Sequence, residues 1–317
     1  MTISRRALLT TSAVGLAGVA LTNPAEALSR GPAPLISRPR ARFPGDPGRG
    51  HLYYGSSLPS GRSLPAWESR LGCHLGVHHN YFRPQNIDGI VRHAHQDVVN
   101  HRLPHISITP PGSWRSMASG RYDGWINHVL HRLAHIGRPV FVTVNPEPES
   151  DTGPGCTPTD FIEMQNRLIL KNAAIRGSHV TIVPVLMAWS FNPHSGRHIN
   201  HWYPQRAKLI GVDVYNPWGP HNGGQWRSLA QLMPSVLKKA GSKPIVIAEY
   251  GCRTNPAHPA LAVKWMTDAY NFAVRHNVVS MGYFNSNVSS PDGTWMLDRV
   301  RGPVFRELLR TKTARIR

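Results

Sequence analysis

Two glutamates follow apolar segments, at positions where an acidic side chain is seldom found without a partner or a chemical role. The segment Val140–Val144 leads after two residues to Glu147, and the segment Ile245–Ala248 leads directly to Glu249. Glycoside hydrolysis needs one carboxylic acid to protonate the leaving oxygen and a second carboxylate on the opposite side of the sugar. The sequence therefore favours this chemistry, and the alternative is a pair of rim residues engaged in salt bridges.

The elements that must position these glutamates alternate between short apolar runs and amphipathic segments of helix length. The runs predict eight strands: His51–Ser56, Gly76–Phe82, His105–Thr109, Pro139–Val144, Thr181–Trp189, Leu209–Tyr215, Ile245–Glu249 and Val278–Phe284. The segments between them predict helices at Ile87–His101, Tyr122–Ile136, Thr159–Arg176, Gln225–Ala240 and Pro259–His276. This order predicts an α/β protein with a single (β/α)8 TIM barrel, and a doubly wound open sheet is the alternative.

Alternation along the predicted strands selects the side chains that face the mouth of the barrel, at the carboxyl ends of the strands. On the fourth strand, Asn145 and Glu147 share the inward face. On the seventh strand, the face that ends in Glu249 also carries Ile245 and Ile247.

Other polar residues are expected near the same mouth. Asp213 and Tyr215 share the inward face of the sixth strand. Glu149 lies two residues beyond Glu147 and is a second candidate acid. His79, near the end of the second strand, is a candidate to line a sugar pocket, with a surface imidazole as the alternative.

The order and spacing of these segments resemble glycoside hydrolase family 26, the β-mannanase-type family of retaining (β/α)8 enzymes. That family carries its catalytic glutamates on strands four and seven. The resemblance rests on Gly120–Asp123 before the fourth strand, Pro139–Glu149 around it, His201–Pro204 with Gly211–Asn216 at the sixth strand, and Pro244–Gly251 at the seventh. These segments span residues 120–251, and the strand count extends the likeness over residues 51–310.

The resemblance implies a role for each matched residue. Glu147 would be the general acid/base and Glu249 the nucleophile. Tyr215 would donate a hydrogen bond that keeps Glu249 ionised and oriented. Asp213 would support the end of the sixth strand.

Aromatic residues and one departure from the family pattern concern the bound sugar. Trp218 and Trp295 are candidates for stacking on sugar rings, and ordinary loop packing is the alternative. The family usually places a histidine directly before its acid/base, where this chain has Pro146. Proline has no side-chain or backbone donor, so Asn145 is the candidate to contact the sugar instead.

These observations predict a retaining glycoside hydrolase that cleaves a β-linked polysaccharide, such as mannan or xylan, without a cofactor or a metal. A non-catalytic glycan-binding barrel is the alternative, because the usual histidine is missing. A metal-dependent polysaccharide-modifying enzyme is less favoured. The chain has 18 histidines, but His93 and His95 lie two apart in a predicted helix and would diverge.

The N-terminal 27 residues have the features of a twin-arginine export signal. Arg5 and Arg6 precede the apolar run Ala7–Leu21, and Ala25–Ala27 has the small-x-small form of a cleavage site. The run is too short for a transmembrane anchor, so no membrane span is predicted. The protein is expected to be secreted or associated with the cell envelope.

Charge and composition divide the rest of the chain. The composition gives 36 Lys and Arg against 17 Asp and Glu, a net charge of +19. Residues 28–50 are predicted to be a basic Pro/Gly-rich linker, residues 51–310 the barrel, and residues 311–317 a basic tail. The basic termini predict contact with an anionic cell-envelope polymer, although they could serve solubility alone. Nucleic-acid binding is not expected, because no aromatic and basic motif is present.

Three cysteines follow the export signal, which is an odd number. If the barrel is right, Cys156 and Cys252 both lie in loops on the catalytic face. A disulfide between them is one hypothesis, and two separate reduced cysteines are the other.

Overall fold

The computed structural model describes residues 41–59, 61–221, 224–286 and 294–316. The predicted export signal and residues 28–40 of the predicted linker lie outside these described residues. No helix in the described part is both long enough and apolar enough to cross a membrane.

Within the described residues, nine parallel strands form one sheet in the order β5-β4-β3-β2-β1-β9-β8-β7-β6. The strands are β1 Tyr53–Ser56, β2 Val77–Phe82, β3 Leu103–Ile108, β4 Val140–Val144, β5 Val180–Ile182, β6 Val185–Met187, β7 Ile210–Tyr215, β8 Ile245–Gly251 and β9 Val278–Tyr283. Only two residues separate β5 from β6, which together form the fifth strand of the barrel. All eight predicted strands are confirmed, and so is the single (β/α)8 barrel; β7, β8 and β9 are its sixth, seventh and eighth strands.

The fifth barrel strand is divided because Pro184 has no N–H with which to continue the ladder. The pairing nevertheless continues across the division. The Glu147 N–H donates to the Val185 carbonyl at 3.1 Å, and the Gly211 N–H donates to the Pro184 carbonyl at 3.2 Å. A Cβ atom on Gly211 would lie 2.4 Å from that carbonyl oxygen, so the close approach requires glycine. The backbone of Glu147 is thus part of the ladder that closes the barrel.

Helices cover the outside of the sheet. They are α1 Leu64–Leu71, α2 Ile87–Val99, α3 Trp114–Ala118, α4 Asp123–Ala134, α5 Pro158–Ala173, α6 Leu229–Leu232, α7 Pro234–Ala240, α8 Ala260–Arg275 and α9 Arg301–Lys312. The five predicted helices are present, although the one expected over 225–240 is two helices. The second of these begins at Pro234, which is tolerated in a first turn because the N–H there has no partner within the helix. Helices α1, α3 and α9 were not predicted.

Alternation along the strands divides the buried apolar side chains into two layers. On β4, Val142 packs toward the helices and Phe141 into the barrel, as predicted. On β8 the prediction was wrong. Ile245 and Ile247 face the helices, whereas Val246 fills the interior with its neighbours. Glu249 would therefore point outward if β8 were regular.

The base of the barrel, at the amino ends of the strands, is covered by segments near both termini. Phe43 is buried against Phe141, with ring centroids 6.1 Å apart, and the Pro44 carbonyl accepts a hydrogen bond from the Thr181 hydroxyl. Ile316 is buried in the same apolar layer. The described part of the predicted linker, residues 41–50, therefore packs on the barrel, because burying Phe43 closes its open end.

Candidate active site

Glu249 lies half-buried at the mouth and accepts hydrogen bonds from two tyrosines. The Tyr81 hydroxyl, from the end of β2, donates to Glu249 Oε1 at 2.5 Å. The Tyr215 hydroxyl, from the end of β7, donates to Oε2. Burial raises the pKa of Glu249, and the two hydrogen bonds oppose that rise because they stabilise the carboxylate.

A β-bulge turns Glu249 into the mouth. Ile247 and Glu249 pair with consecutive residues of β7, so Ala248 is an extra residue in β8. A bulge of this kind shifts the alternation by one position, which re-aims the next side chain. The displaced carbonyl of Ala248 would lie 2.6 Å from a Cβ atom on Gly282 of β9, so glycine is needed there.

Glu147 lies after β4 on an unusual backbone. Asn145 has φ of 56° and Glu147 has φ of 47°, both in the left-handed region that non-glycine residues seldom adopt. The Trp114 indole N–H donates to Asn145 Oδ1 at 3.2 Å, and Asn145 Nδ2 donates to Asp151 at 2.9 Å. Both ends of the Asn145 amide are therefore used to hold this turn, whereas the sequence suggested a sugar contact.

The surroundings of Glu147 favour its protonated form. Burial, followed by the negative charges of Glu249, Glu149 and Asp151, raises the pKa of Glu147 to about 7. Among the described residues, no donor reaches its carboxyl group. Glu147 can therefore carry a proton at a pH where an ordinary glutamate is ionised.

The other two predicted carboxyl groups are more deeply placed. Glu149 is buried, and its Oε1 accepts a hydrogen bond from the Met187 N–H at 3.0 Å. Asp213 is also buried, and it lies beside Glu249 in the pairing of β7 with β8. Burial and then the charges of Glu249 and Glu147 raise the pKa of Asp213 well above its usual range. Of the four carboxyl groups, only Glu147 and Glu249 are half-exposed at the mouth.

His79 lies below the mouth and is only 2% exposed. Its Nδ1 is 3.1 Å from the Ala248 carbonyl, and its Nε2 is 2.7 Å from the Ser107 hydroxyl. Its ring stacks on His105 at 4.3 Å and contacts the Tyr81 ring. Burial lowers the pKa of His79 to about 3, so it is neutral. The structure therefore places His79 beneath Tyr81 and not on the surface of the predicted pocket.

Aromatic rings surround Glu249. The ring of Phe284 makes edge contacts with Tyr81 and Tyr215 at 6.5 and 5.9 Å. Trp295 lies 4.7 Å from Tyr215, and the Arg253 guanidinium carbon lies 4.0 Å from the centre of the Trp295 ring. Since Trp295 is only 8% exposed, it supports Tyr215 and offers little surface for a sugar.

Two further tryptophans differ in exposure. Trp218 is half-buried after β7, with its ring 5.8 Å from Trp226 and its carbonyl accepting from Arg253. Trp189, in the loop after β6, is 51% exposed and was not predicted to have a role. Among the described tryptophans, Trp189 is the most open surface for stacking at this end of the barrel.

Sequence reasoning missed Tyr81, Phe284 and Trp189. A signal existed for Tyr81, because the two-residue period of a strand places it on the same face as His79. Phe284 and Trp189 end predicted strands, but nothing in the sequence indicates how exposed each ring is.

The predicted disulfide is wrong, since Cys73, Cys156 and Cys252 are all free. Cys252 is three positions after Glu249, an odd offset, so it is buried on the helix-facing side of β8. Cys156 lies in a short turn closed by backbone hydrogen bonds with Gly153. Within the described ranges, no three His, Cys, Asp or Glu residues form a group that could hold a metal ion.

Solved structures share this architecture. The catalytic domain of a GH26 endo-β-1,4-mannanase from Bacillus sp. JAMB-750 aligns with a TM-score of 0.56 and 12% identity, over 81% of this chain and 85% of that one. A modular endo-β-1,4-mannanase from Cellulomonas fimi aligns with a TM-score of 0.56 and 13% identity, over 82% and 70%. A GH5 xyloglucan-specific endo-β-1,4-glucanase from a metagenomic library aligns with a TM-score of 0.53 and 9% identity, over 82% of this chain and 97% of that one. No protein family model matches the sequence, and no curated protein matches it. The fold is thus the (β/α)8 barrel found in GH26 and GH5 enzymes.

Proposed function

We propose that this protein is a retaining glycoside hydrolase with Glu147 as the acid/base and Glu249 as the nucleophile. The observation that carries the proposal is the contrast between two carboxyl groups at one mouth. Glu249 receives two phenolic hydrogen bonds, whereas no described donor reaches Glu147, whose pKa is raised to about 7. A single negative charge shared by the pair therefore resides on Glu249, and the proton resides on Glu147.

This distribution fits the first half of a double displacement. The Glu147 proton moves to the glycosidic oxygen while the carbon–oxygen bond to the leaving sugar breaks. The Glu249 carboxylate forms an ester bond to the anomeric carbon. Loss of the proton leaves both groups ionised, and formation of the ester then removes the charge on Glu249.

The second half returns the enzyme to its starting state. Glu147, now ionised, takes a proton from water, whose oxygen attacks the anomeric carbon. The ester bond to Glu249 breaks, and its carboxylate returns to the two tyrosine hydroxyls. Configuration at the anomeric carbon is retained because it is inverted twice.

The two tyrosines act on the nucleophile and not on a bond of the substrate. Tyr81 and Tyr215 approach Glu249 from β2 and β7, on different sides of the barrel. Each hydroxyl donates to a different carboxylate oxygen, so together they fix its plane and favour its charged form. The neutral His79 beneath Tyr81 holds that ring in place.

The substrate is proposed to be a β-linked polysaccharide. The fold shared with endo-mannanases and an endo-glucanase supports this class, and the exposed Trp189 offers an aromatic surface to a flat sugar face. Export by the twin-arginine pathway and action outside the cell remain part of the proposal, on the sequence evidence alone.

The test is a reducing-end assay on β-mannan, β-xylan and mixed-linkage glucan, with Glu147→Gln and Glu249→Gln beside the wild type. Glu163→Gln is the matched control, because it removes one exposed carboxylate from α5 away from the mouth. Release of sugar by the wild type and the control, with loss in both mouth variants, is expected. Equal glycan binding by all four proteins without release by any would instead support the non-catalytic barrel.

Stereochemistry gives an independent test. Proton NMR of the first product formed should show the configuration of the substrate linkage. An initial product of the opposite configuration would exclude Glu249 as a covalent nucleophile.

A further inference from the structure

The base of the barrel has an almost uniformly positive surface. Because the strands are parallel, every connection from a helix into the next strand lies there, opposite the mouth. The described connections and end segments at this face are residues 41–51, 72–76, 100–102, 135–139, 174–179, 204–209, 241–244, 276–277 and 313–316. Seven of these nine segments contain Lys or Arg, although Arg102, the cation of segment 100–102, is buried and paired with Glu68 and Asp97. The nine segments contain a single acidic residue, Asp46, which pairs with Arg42.

One part of this face combines exposed cations with a cleft. Arg176, Arg206 and Lys208, which we call the basic ledge, are all exposed and belong to neighbouring connections before β5 and β7. Arg206 and Lys208 line a cleft of about 220 Å³. Ser178 and Asn172 also line the cleft, and the Ser178 hydroxyl donates to Asn172 Oδ1 at 2.7 Å. The ledge thus borders a recess whose wall is partly polar and partly apolar.

We propose that the base of the barrel binds a linear polyanion with a carbohydrate or polyol backbone, and that the basic ledge is its main contact. Cations grouped on one face repel one another, and a polyanion relieves this repulsion and releases its own counterions on binding. The recess is lined by Ser178 and Asn172 together with apolar side chains, so it suits a repeating unit that carries both hydroxyl groups and C–H surface.

Two other polyanionic partners fit the face less well. Single-stranded nucleic acid is usually bound by stacking its bases on exposed aromatic rings. The large exposed aromatic side chains of the described residues, Tyr81 and Trp189, lie at the mouth and not at the base. An anionic bilayer is usually bound by a continuous apolar surface, whereas the exposed apolar side chains nearest the base, Val99 and Leu170, are single residues on different helices.

The proposed polymer site and the proposed catalytic site lie at opposite ends of the strands. A polymer held at the base leaves the mouth, at the other end of the strands, open to a second glycan. Binding at the base therefore does not depend on the catalytic proposal and can be tested without any substrate for the mouth.

The experiment compares two triple variants with equal changes in net charge. The ledge variant is Arg176→Gln/Arg206→Gln/Lys208→Gln. The control variant is Arg62→Gln/Arg83→Gln/Arg121→Gln, which removes three exposed arginines from loops at the mouth end. Binding to immobilised poly(glycerol phosphate) is measured between 50 and 300 mM salt, with neutral dextran, single-stranded DNA and anionic lipid vesicles as comparison ligands, and thermal unfolding confirms that each variant is folded.

We expect the ledge variant to bind poly(glycerol phosphate) about tenfold more weakly than the wild type. The slope of log affinity against log salt should fall by about two, as expected when three contacts to a polyanion are lost. The control variant should remain within about twofold. Equal weakening of both variants, tighter binding to DNA or to vesicles than to the polymer, or no binding at 50 mM salt would each overturn the proposal.

Discussion

Two buried polar clusters at opposite ends of the same barrel differ in how their charges are balanced. Near the base, Arg102 donates to Glu68 at 2.8 Å and to Asp97 at 2.9 Å, and His78 lies 3.0 Å from Asp97. At the mouth, Glu147 and its neighbours repel one another, and phenols and backbone groups are their main partners. The cluster near the base pairs its buried charges, whereas the acids at the mouth face one another at a cost in stability, as expected if they have the proposed catalytic role.

The largest effect expected from this comparison is on catalysis. Glu249→Gln should lower kcat on an accepted polysaccharide by about 10⁴-fold, because no other group can form the covalent intermediate. Glu147→Gln should lower it by 10²- to 10⁴-fold, the range for losing a general acid. Activity of Glu147→Gln that returns on substrates with an activated leaving group, but not on the polymer, would separate the two roles. Unchanged turnover in either variant would contradict the assignment.

The next effect is on stability, and it should have opposite signs at the two ends. Arg102→Met leaves Glu68 and Asp97 buried without their cation, which should lower the free energy of unfolding by about 3–5 kcal/mol. Glu147→Gln should instead raise it at pH 8, by about 1–3 kcal/mol, because the wild type bears the cost of ionising a group whose pKa is raised to about 7.

The pH dependence of this second change checks its cause. A carboxyl group whose pKa is higher in the folded protein than in the unfolded chain destabilises the fold as it ionises. The free energy of unfolding therefore falls as the pH rises from the unfolded pKa to the folded pKa. Glu147→Gln should therefore match the wild type near pH 4 and exceed it above pH 7 in urea unfolding. A stability gain that is the same at both pH values would indicate better packing and not relief of repulsion.

The two glutamates show how far sequence reasoning reaches. Plain alternation along β4 placed Glu147 at the mouth, but the strand and its alternation end at Val144, and the left-handed turn at Asn145 and Glu147 follows. The same rule placed Glu249 at the mouth on one face with Ile245 and Ile247, but those two side chains face the helices. The extra residue at Ala248 restores the orientation, and a bulge depends on pairing with β7 and β9 that one strand's sequence does not contain.

Other features of the site depend on distant contacts in the same way. The Cys156–Cys252 prediction placed both residues at one end of the barrel but did not consider which face of β8 carries Cys252. His79 was expected at the pocket surface, but its neighbours Ser107 and His105 come from β3 and bury it. The order of the strands was predictable from the sequence, whereas the depth at which each side chain is buried in the barrel was not.

A moderate loss of activity is expected when a tyrosine that donates a hydrogen bond to Glu249 is replaced. Tyr81→Phe removes one donor from the Glu249 carboxylate, and a hydrogen bond to a charged group contributes about 1.5–3 kcal/mol. We expect kcat/KM to fall about tenfold or more. Because the lost bond favoured the charged form, the pKa of Glu249 should rise and the acidic limb of the pH profile should move to higher pH.

Tyr215→Phe should act in the same direction, because its hydroxyl binds the other carboxylate oxygen. Tyr122→Phe is a control phenol, since Tyr122 lies before α4 on the outer layer. A loss of activity in Tyr81→Phe without movement of the acidic limb would show that the ring matters for packing and not for the charge on Glu249.

A smaller effect is expected at the exposed aromatic surface of the mouth. Trp189→Ala should raise KM on a polysaccharide by roughly fivefold to tenfold with little change in kcat, because an aromatic contact contributes about 0.5–1.5 kcal/mol beyond its buried area. Leu170→Ala is the control, since Leu170 is comparably exposed but lies on α5. Equal KM values for wild type and Trp189→Ala would remove Trp189 from the substrate path.

The smallest effect tests the repulsion at the mouth most directly. Glu149→Gln removes one negative charge that raises the pKa of Glu147, and the amide oxygen can still accept from the Met187 N–H. The proton on Glu147 should then be lost at lower pH, so the alkaline limb of the kcat/KM profile should move down while the acidic limb stays in place. A loss of turnover on the polymer as large as that expected for Glu147→Gln would instead mean that Glu149 and not Glu147 carries the catalytic proton.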